Sequence, residues 1–123
     1  MTGTIVVVVV AVLFLGMGLY GLAAPAELVR PFGTVLPEPA SRAEVRAVYG
    51  GFGLAIAAIL TLAATRTGDV RVGIVITVAA ALAGMAFGRI VSVLLGDRTS
   101  FYPNWFYFLV EAVGAAVLAL TVA

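Results

Sequence analysis

The 123-residue chain contains no cysteine, no histidine and no lysine, and only 11% of its residues are charged. The absence of cysteine excludes disulfide bonds, thiol redox chemistry and cysteine-ligated iron–sulfur clusters. The absence of histidine excludes histidine-based acid–base catalysis, the usual zinc sites and histidine-ligated haem. All seven basic residues are arginines, and they are scattered along a chain of formal net charge +1. This pattern does not favour nucleic-acid binding.

Apolar residues are what the chain has in abundance. They make up 63% of the sequence, and the mean hydropathy is +1.21. A soluble domain of this length could not bury so much apolar surface. The apolar residues fall into four stretches of about 20 residues, which is the length needed to cross a bilayer. We therefore predict an all-α polytopic integral membrane protein, with residues 1–123 forming a single domain, an antiparallel four-helix transmembrane bundle.

The predicted spans cover about residues 4–24, 42–65, 70–95 and 104–122. The first span is too long for a secretory signal and no basic residue precedes it, so we expect it to be retained as a helix. The connection at residues 25–41 contains four prolines. We expect an ordered loop lying in the membrane interface, and a lid over a polar site beneath it is the alternative.

Short signals predict how two of the spans begin. Ser41 and Glu44 have the spacing of a capping box, which predicts Ser41 as the N-cap of the second span. Asp69 follows a tight turn and is a candidate N-cap for the third span.

Small residues recur at helical spacing along the third span, and they are Ala80, Gly84, Gly88, Ser92 and Gly96. Gly84 and Gly88 match the Gly-xxx-Gly pattern of helix association in membranes. In the second span, Gly50 and Gly51 lie inside a helix, with no strand before them. They are therefore interpreted as helix-packing residues, and a phosphate-binding loop is not predicted.

Arg89 interrupts the third span, and a charge inside a membrane requires a partner. It lies seven residues before Gly96, while Glu111 lies seven residues after Asn104. At about 1.5 Å per residue, both side chains lie about 10 Å below the same surface. Because consecutive spans are antiparallel, the sequence predicts that Arg89 and Glu111 meet.

Three further polar side chains approach the same surface, and they complete a candidate intramembrane cluster of Arg46, Tyr49, Arg89, Ser92 and Glu111. Two interpretations stay open. Arg89 and Glu111 form a salt bridge that fixes the register of two helices, or the arginines bind an anionic lipid headgroup or carboxylate in a small pocket.

Aromatic residues and arginines indicate how the bundle lies in the membrane. Tyr20, Tyr102, Trp105 and Tyr107 all fall near one surface, where we expect them at the headgroup level. That surface also has the larger number of arginines, namely Arg30, Arg42, Arg46 and Arg98 against Arg66 and Arg71 on the other. The positive-inside rule makes it cytoplasmic and places both termini on the non-cytoplasmic side.

No catalytic constellation is recognisable, and we predict no catalytic, cofactor-binding or metal-ligating residues. The sequence therefore favours a non-catalytic accessory or structural subunit that packs against a larger membrane protein complex. The alternative is a binder or carrier of a small anionic or amphipathic molecule around Arg46, Arg89 and Glu111. Expected partners are membrane lipids and either another membrane protein or further copies of the chain.

Three elements together resemble a known family: the Arg-x-x-Tyr-Gly-Gly sequence from Arg46 to Gly51, the Gly88-Arg89 pair with Ser92, and Glu111. The family consists of small four-helix bacterial membrane proteins known only as a domain of unknown function, and the resemblance extends over nearly the whole chain. The chain departs from the family pattern after the third span, where Gly96-Asp97 stands in place of Asp-Gly. The resemblance implies the four-helix fold and a bacterial cell membrane, and it implies no activity.

Overall fold

Four helices are long and apolar enough to cross a membrane in the computed structural model, which describes residues 1–123. Helix α1 covers Thr2–Ala23, and the short helix α2 covers Pro25–Val29 and continues into one 3₁₀ turn at Arg30–Phe32. Helices α3, α4 and α5 cover Pro39–Ala64, Asp69–Leu94 and Phe101–Leu120. No strand is present, and the predicted all-α membrane protein with four spanning helices is confirmed.

Helix α3 begins before Ser41, so the predicted N-cap is wrong. The N-cap is Glu38, whose side chain accepts from a backbone N–H of the first turn while its own N–H donates to Ser41 Oγ at 3.1 Å. A capping box is therefore present, but it runs from Glu38 to Ser41. Pro39 occupies the first helical position, where its missing N–H needs no partner.

The prediction that Asp69 caps α4 is also wrong. Gly68 is the N-cap, with a φ of +71° that favours glycine, and it makes no side-chain cap bond. Asp69 is instead the first helical residue. Its carboxylate lies in the first turn, where the positive end of the helix dipole stabilises a negative charge.

The helices pack as two pairs, α1 with α3 and α4 with α5. Glycines bring α1 and α3 into backbone contact. A Cβ atom added at Gly18 would lie 2.7 Å from the Leu54 backbone nitrogen, and one added at Gly21 would lie 2.9 Å from the Gly50 nitrogen. Side chains at these positions would force the two helices apart, so the close approach requires glycine on both helices.

Only one of the four glycines predicted to pack helices does so. Gly50 lies against Leu22 of α1, but an added Cβ at Gly51 would meet nothing closer than the Arg46 carbonyl of its own helix at 3.8 Å. Gly84 and Gly88 have no atom within 4 Å of an added Cβ. The prediction for Gly51, Gly84 and Gly88 within this chain is therefore wrong, because these glycines lie on outward faces of their helices.

The main apolar core lies toward one end of the bundle. We call the end with Met1, Ala123 and the α3–α4 turn the terminal end, and the end with the α1–α3 and α4–α5 connections the loop end. The core draws on all four spanning helices, and its buried residues are Val7, Val10, Ala11, Leu60, Ala63, Val75, Val78, Ala79, Leu82 and Leu118. The core residues of α1, α3 and α5 all come from the half of the helix nearest the terminal end.

Candidate functional site

Arg89 and Glu111 meet near the loop end, between α4 and α5. Arg89 Nε donates to Glu111 Oε1 at 2.7 Å, and Nη2 donates to Oε2 at 2.8 Å. This two-bond geometry is the strongest form of an arginine–carboxylate pair. Glu111 is only 4% exposed and is the one buried charged residue. Each charge therefore compensates the other inside an apolar bundle.

Asn104 accepts a hydrogen bond from the third guanidinium nitrogen. Its Oδ1 accepts from Arg89 Nη1 at 3.2 Å. Asn104 and Glu111 are seven residues apart, or about two helical turns, so they lie on the same face of α5. The arginine thus binds two side chains of one helix, and these bonds fix α4 and α5 in a single register.

Two aromatic rings cover the guanidinium. The Arg89 Cζ atom lies 5.7 Å from the centre of the Phe32 ring and 6.0 Å from that of Tyr107. The two rings are themselves 5.6 Å apart. Rings at these distances attract a cation through their negative faces and exclude water from it. Phe32 belongs to the α1–α3 connection, so the cluster draws on three segments of the chain.

Arg46 makes no hydrogen bond to Arg89 or Glu111. It begins a wide π-helical turn, Arg46–Gly51, and its Nε donates to the Leu22 carbonyl at 3.0 Å. Leu22 is in the last turn of α1, where carbonyls have no partner within the helix. Arg46 therefore caps α1, and the same turn places Gly50 against the Leu22 side chain.

The other two predicted members of the cluster, Ser92 and Tyr49, make no hydrogen bond to Arg89 or Glu111. Ser92 Oγ donates to Asp97 Oδ2 at 3.1 Å, just beyond the end of α4. Tyr49 is exposed, and its Cβ lies 3.2 Å from the position of a Cβ added at Gly21. The structure therefore joins Arg89 with Glu111, gives Arg46 and Ser92 other hydrogen-bond partners, and shows no hydrogen bond from Tyr49 to the pair. Whether the Arg89–Glu111 pair serves a function stays a prediction.

Sequence reasoning missed Asn104 and Phe32 as partners of Arg89. The seven-residue spacing between Asn104 and Glu111 was a usable signal, since it places both side chains on one helical face. Phe32 gave no such signal, because its position depends on the path of an irregular connection.

The four aromatic residues predicted to lie at the interface are all found toward the loop end, and they form part of a larger aromatic group. The Tyr102 and Tyr107 ring centres are 6.2 Å apart, and Trp105 packs edge-on against Phe108 at 5.5 Å. Tyr20 lies in the last turn of α1 and is exposed. Their depth in a membrane stays a prediction.

A second arginine contact lies at the terminal end. Arg71 Nη1 donates to Thr4 Oγ1 at 3.2 Å, which joins the first turn of α4 to the first turn of α1. Sequence reasoning treated Arg71 only as a charge that sets orientation. Its part-buried position shows that it also holds two helices together.

Comparison with known proteins gives a family and no activity. A family model described as a domain of unknown function, DUF4345, matches residues 3–122. No curated protein and no solved structure matches the chain. The chemistry of the chain must therefore be inferred from its own geometry.

Proposed function

Since the chain belongs to the DUF4345 family of domains of unknown function, we propose a role from its own surface: it is a non-catalytic accessory subunit of a membrane protein complex. It packs against a membrane-spanning helix of a partner protein. The contact surface is the outward face of α4, with Gly84 and Gly88 at its centre.

The observation that supports this proposal is the exposure of Gly84 and Gly88. No atom lies within 4 Å of a Cβ added at either position. Small residues are enriched where membrane helices contact each other, because they let backbones approach closely. The neighbouring Met85 and Phe87 are exposed too. The α4 face thus has the composition of a helix contact, and no helix of this chain covers it.

A groove on another side of α4, which neither glycine lines, supports the same role. It lies between α4 and α5, has a volume of about 790 Å³ and is lined only by apolar residues. Most of them are alanines, namely Ala79, Ala80, Ala83, Ala86, Ala112, Ala115, Ala116, Ala119 and Ala123. From Ile76 to Ile90 the groove extends about 21 Å along α4. This exceeds half of the roughly 30 Å hydrocarbon core, so a spanning helix suits it better than an acyl chain of one leaflet.

The test replaces both glycines with a bulky residue. We expect the Gly84→Leu/Gly88→Leu variant to fold normally, because no atom lies within 4 Å of a Cβ added at either position. After mild detergent extraction, native mass spectrometry should show the unmodified protein with a membrane partner at fixed stoichiometry and the double variant without it.

The matched control is Gly16→Leu, another helical glycine with no atom within 4 Å of an added Cβ. It should keep the partner. An unmodified protein that runs alone, or a double variant that retains the partner, would contradict the proposal.

The alternative, a binder of an anionic or amphipathic molecule, has one supporting observation. Arg89 has five N–H donors, and three of them are used by Glu111 and Asn104. Two remain for a carboxylate or a headgroup. The same native mass spectra test this role, since a retained lipid or metabolite that is lost from a folded Arg89→Lys variant, which keeps the charge beside Glu111 but has fewer donors, would support it.

For the setting, we propose a bacterial cell membrane with both termini on the non-cytoplasmic side. Arg30, Arg42 and Arg46 lie toward the loop end with Arg98, whereas Arg66 and Arg71 lie toward the terminal end. The positive-inside rule places the loop end in the cytoplasm. A reporter that works only after export should therefore be active when it is fused to the C-terminus, and a reporter that works only in the cytoplasm should be inactive there. Activity of a cytoplasm-only reporter would reverse the orientation.

A further inference from the structure

The two helix pairs are joined most firmly at the terminal end. There the shared core brings Val7 of α1 and Leu60 of α3 together with Val75 of α4 and Leu118 of α5. The Arg71–Thr4 hydrogen bond adds a polar contact between the pairs at the same end. The pairs are therefore fixed relative to each other at this end.

At the loop end, burial occurs mainly within each pair. Gly18, Gly21, Gly50 and Gly53 are buried between α1 and α3. In the other pair, Glu111 of α5 is buried against Arg89 of α4. The wide turn Arg46–Gly51 packs on α1. The apolar core that unites the four helices does not reach this level.

Phe32 crosses between the pairs at the loop end, where its turn Arg30–Phe32 lies against the start of α5, Phe101–Trp105. The connection that carries it is anchored on the α1–α3 side, where Pro25 and Val29 are buried and α2 contacts both helices. Gly33 follows Phe32 with a φ of +75°, and its N–H donates to the Arg30 carbonyl at 2.9 Å. This turn places Phe32 at the apex of the connection, against Arg89 and Tyr107 of the other pair.

We infer that Phe32 is a latch, which holds the two helix pairs together at the loop end and lets them separate there when it leaves the Arg89–Tyr107 surface. The terminal core is the hinge. Phe32 is still 43% exposed, and aromatic contacts of this kind are individually weak. Opening uncovers one side of the Arg89 guanidinium while the Glu111 bonds within the α4–α5 pair stay intact.

The chain has no cysteine, so pairs of introduced cysteines can carry spin labels without background labelling. One pair, Val48→Cys with Leu95→Cys, reports the distance between the helix pairs at the loop end. A second pair, Leu62→Cys with Leu120→Cys, reports it at the terminal end. All four residues are exposed. Distances are measured by double electron–electron resonance on the full chain in liposomes.

We expect Phe32→Ala to add a population of longer distances at the loop end and to leave the terminal-end distances unchanged. The separate Phe32→Tyr variant keeps an aromatic ring at this position and should show the same distance distributions as the unmodified chain. The matched control is Phe101→Ala, which removes an exposed aromatic ring at the same end that does not lie over the Arg89 guanidinium. It should change neither distribution.

Three results would overturn the inference. Phe32→Ala could leave the loop-end distances unchanged, which would mean that other contacts hold this end. It could lengthen the distances at both ends, which would indicate general loosening of the bundle. Phe101→Ala could produce the same shift, which would remove any special role for Phe32.

Discussion

At the scale of single residues, three arginines each bind a group on another helix. Arg89 binds Glu111 of α5, Arg46 binds the Leu22 carbonyl of α1, and Arg71 of α4 binds Thr4 of α1. An arginine near an apolar region requires such a partner, because there is little water to solvate it. The arginines thus tie helices together, in addition to any effect on orientation.

The sequence predicted one of these contacts, and the reason is physical. Arg89 and Glu111 are both side chains, so counting residues from the ends of their spans gave matching depths. Arg46 binds a backbone carbonyl, which every residue has, and no residue pattern identifies which carbonyl accepts. The pairing of Arg89 with Glu111 was therefore predictable, and the capping role of Arg46 was not.

Glu111→Gln should destabilise the protein by about 3–5 kcal/mol, because it leaves the Arg89 charge without a counter-ion inside the bundle. Unfolding in mixed detergent micelles, followed by circular dichroism, measures this loss. The Arg89→Met/Glu111→Leu double variant should recover most of it, since an apolar pair of similar size needs no compensation. Glu44→Gln, at an exposed position, is the control, and equal stability of the Glu44 and Glu111 variants would contradict the prediction.

At the scale of helices, spacing predicted where small residues form a face but not what that face contacts. The Gly84-xxx-Gly88 pattern is a correct sign of a helix contact surface in general, yet α4 turns it away from its own chain. The glycines that do pack, Gly18 and Gly21 of α1 with Gly50 and Gly53 of α3, are three residues apart and do not match that pattern. Which of two such faces points inward depends on how all four helices are arranged.

The N-terminus of α3 shows a similar limit to what the sequence can predict. Ser41 can serve either as an N-cap with Glu44 or as the third helical residue of a capping box whose N-cap is Glu38. Pro39 decides between them, because proline fits the first helical position and so extends the helix by a turn. Overlapping caps of this kind can be ranked only when every residue of the first turn is considered together.

Gly18→Ala should destabilise the bundle by about 1–3 kcal/mol, because the added methyl group meets backbone atoms of α3 that cannot move independently. Gly16→Ala is the matched control two residues away, with open space around its Cβ. It should be neutral or stabilising by up to about 1 kcal/mol, as expected for alanine in a helix interior. Equal effects of the two variants on detergent unfolding would show that α1 and α3 are not in close backbone contact.

At the scale of the whole molecule, hydropathy alone predicted four spanning helices, because bilayer thickness fixes the length of each apolar stretch. It did not predict that α1 pairs with α3 and α4 with α5, or that the shared core lies toward the terminal end. Those features depend on contacts between residues far apart in sequence. The result is a small bundle with a firm terminal end, an Arg89–Glu111 pair near the loop end and a small-residue face on α4.

The role of that α4 face is tested most directly by photo-crosslinking in the native membrane. Phe87 is exposed beside Gly84 and Gly88 and lines the alanine groove, so a photoreactive phenylalanine analogue fits at its position. The same analogue at Leu13, on the exposed face of α1, is the control. A discrete protein adduct from position 87 and only lipid adducts from position 13 are the predicted result. Lipid adducts alone from both positions would contradict the proposal that α4 packs against a partner helix.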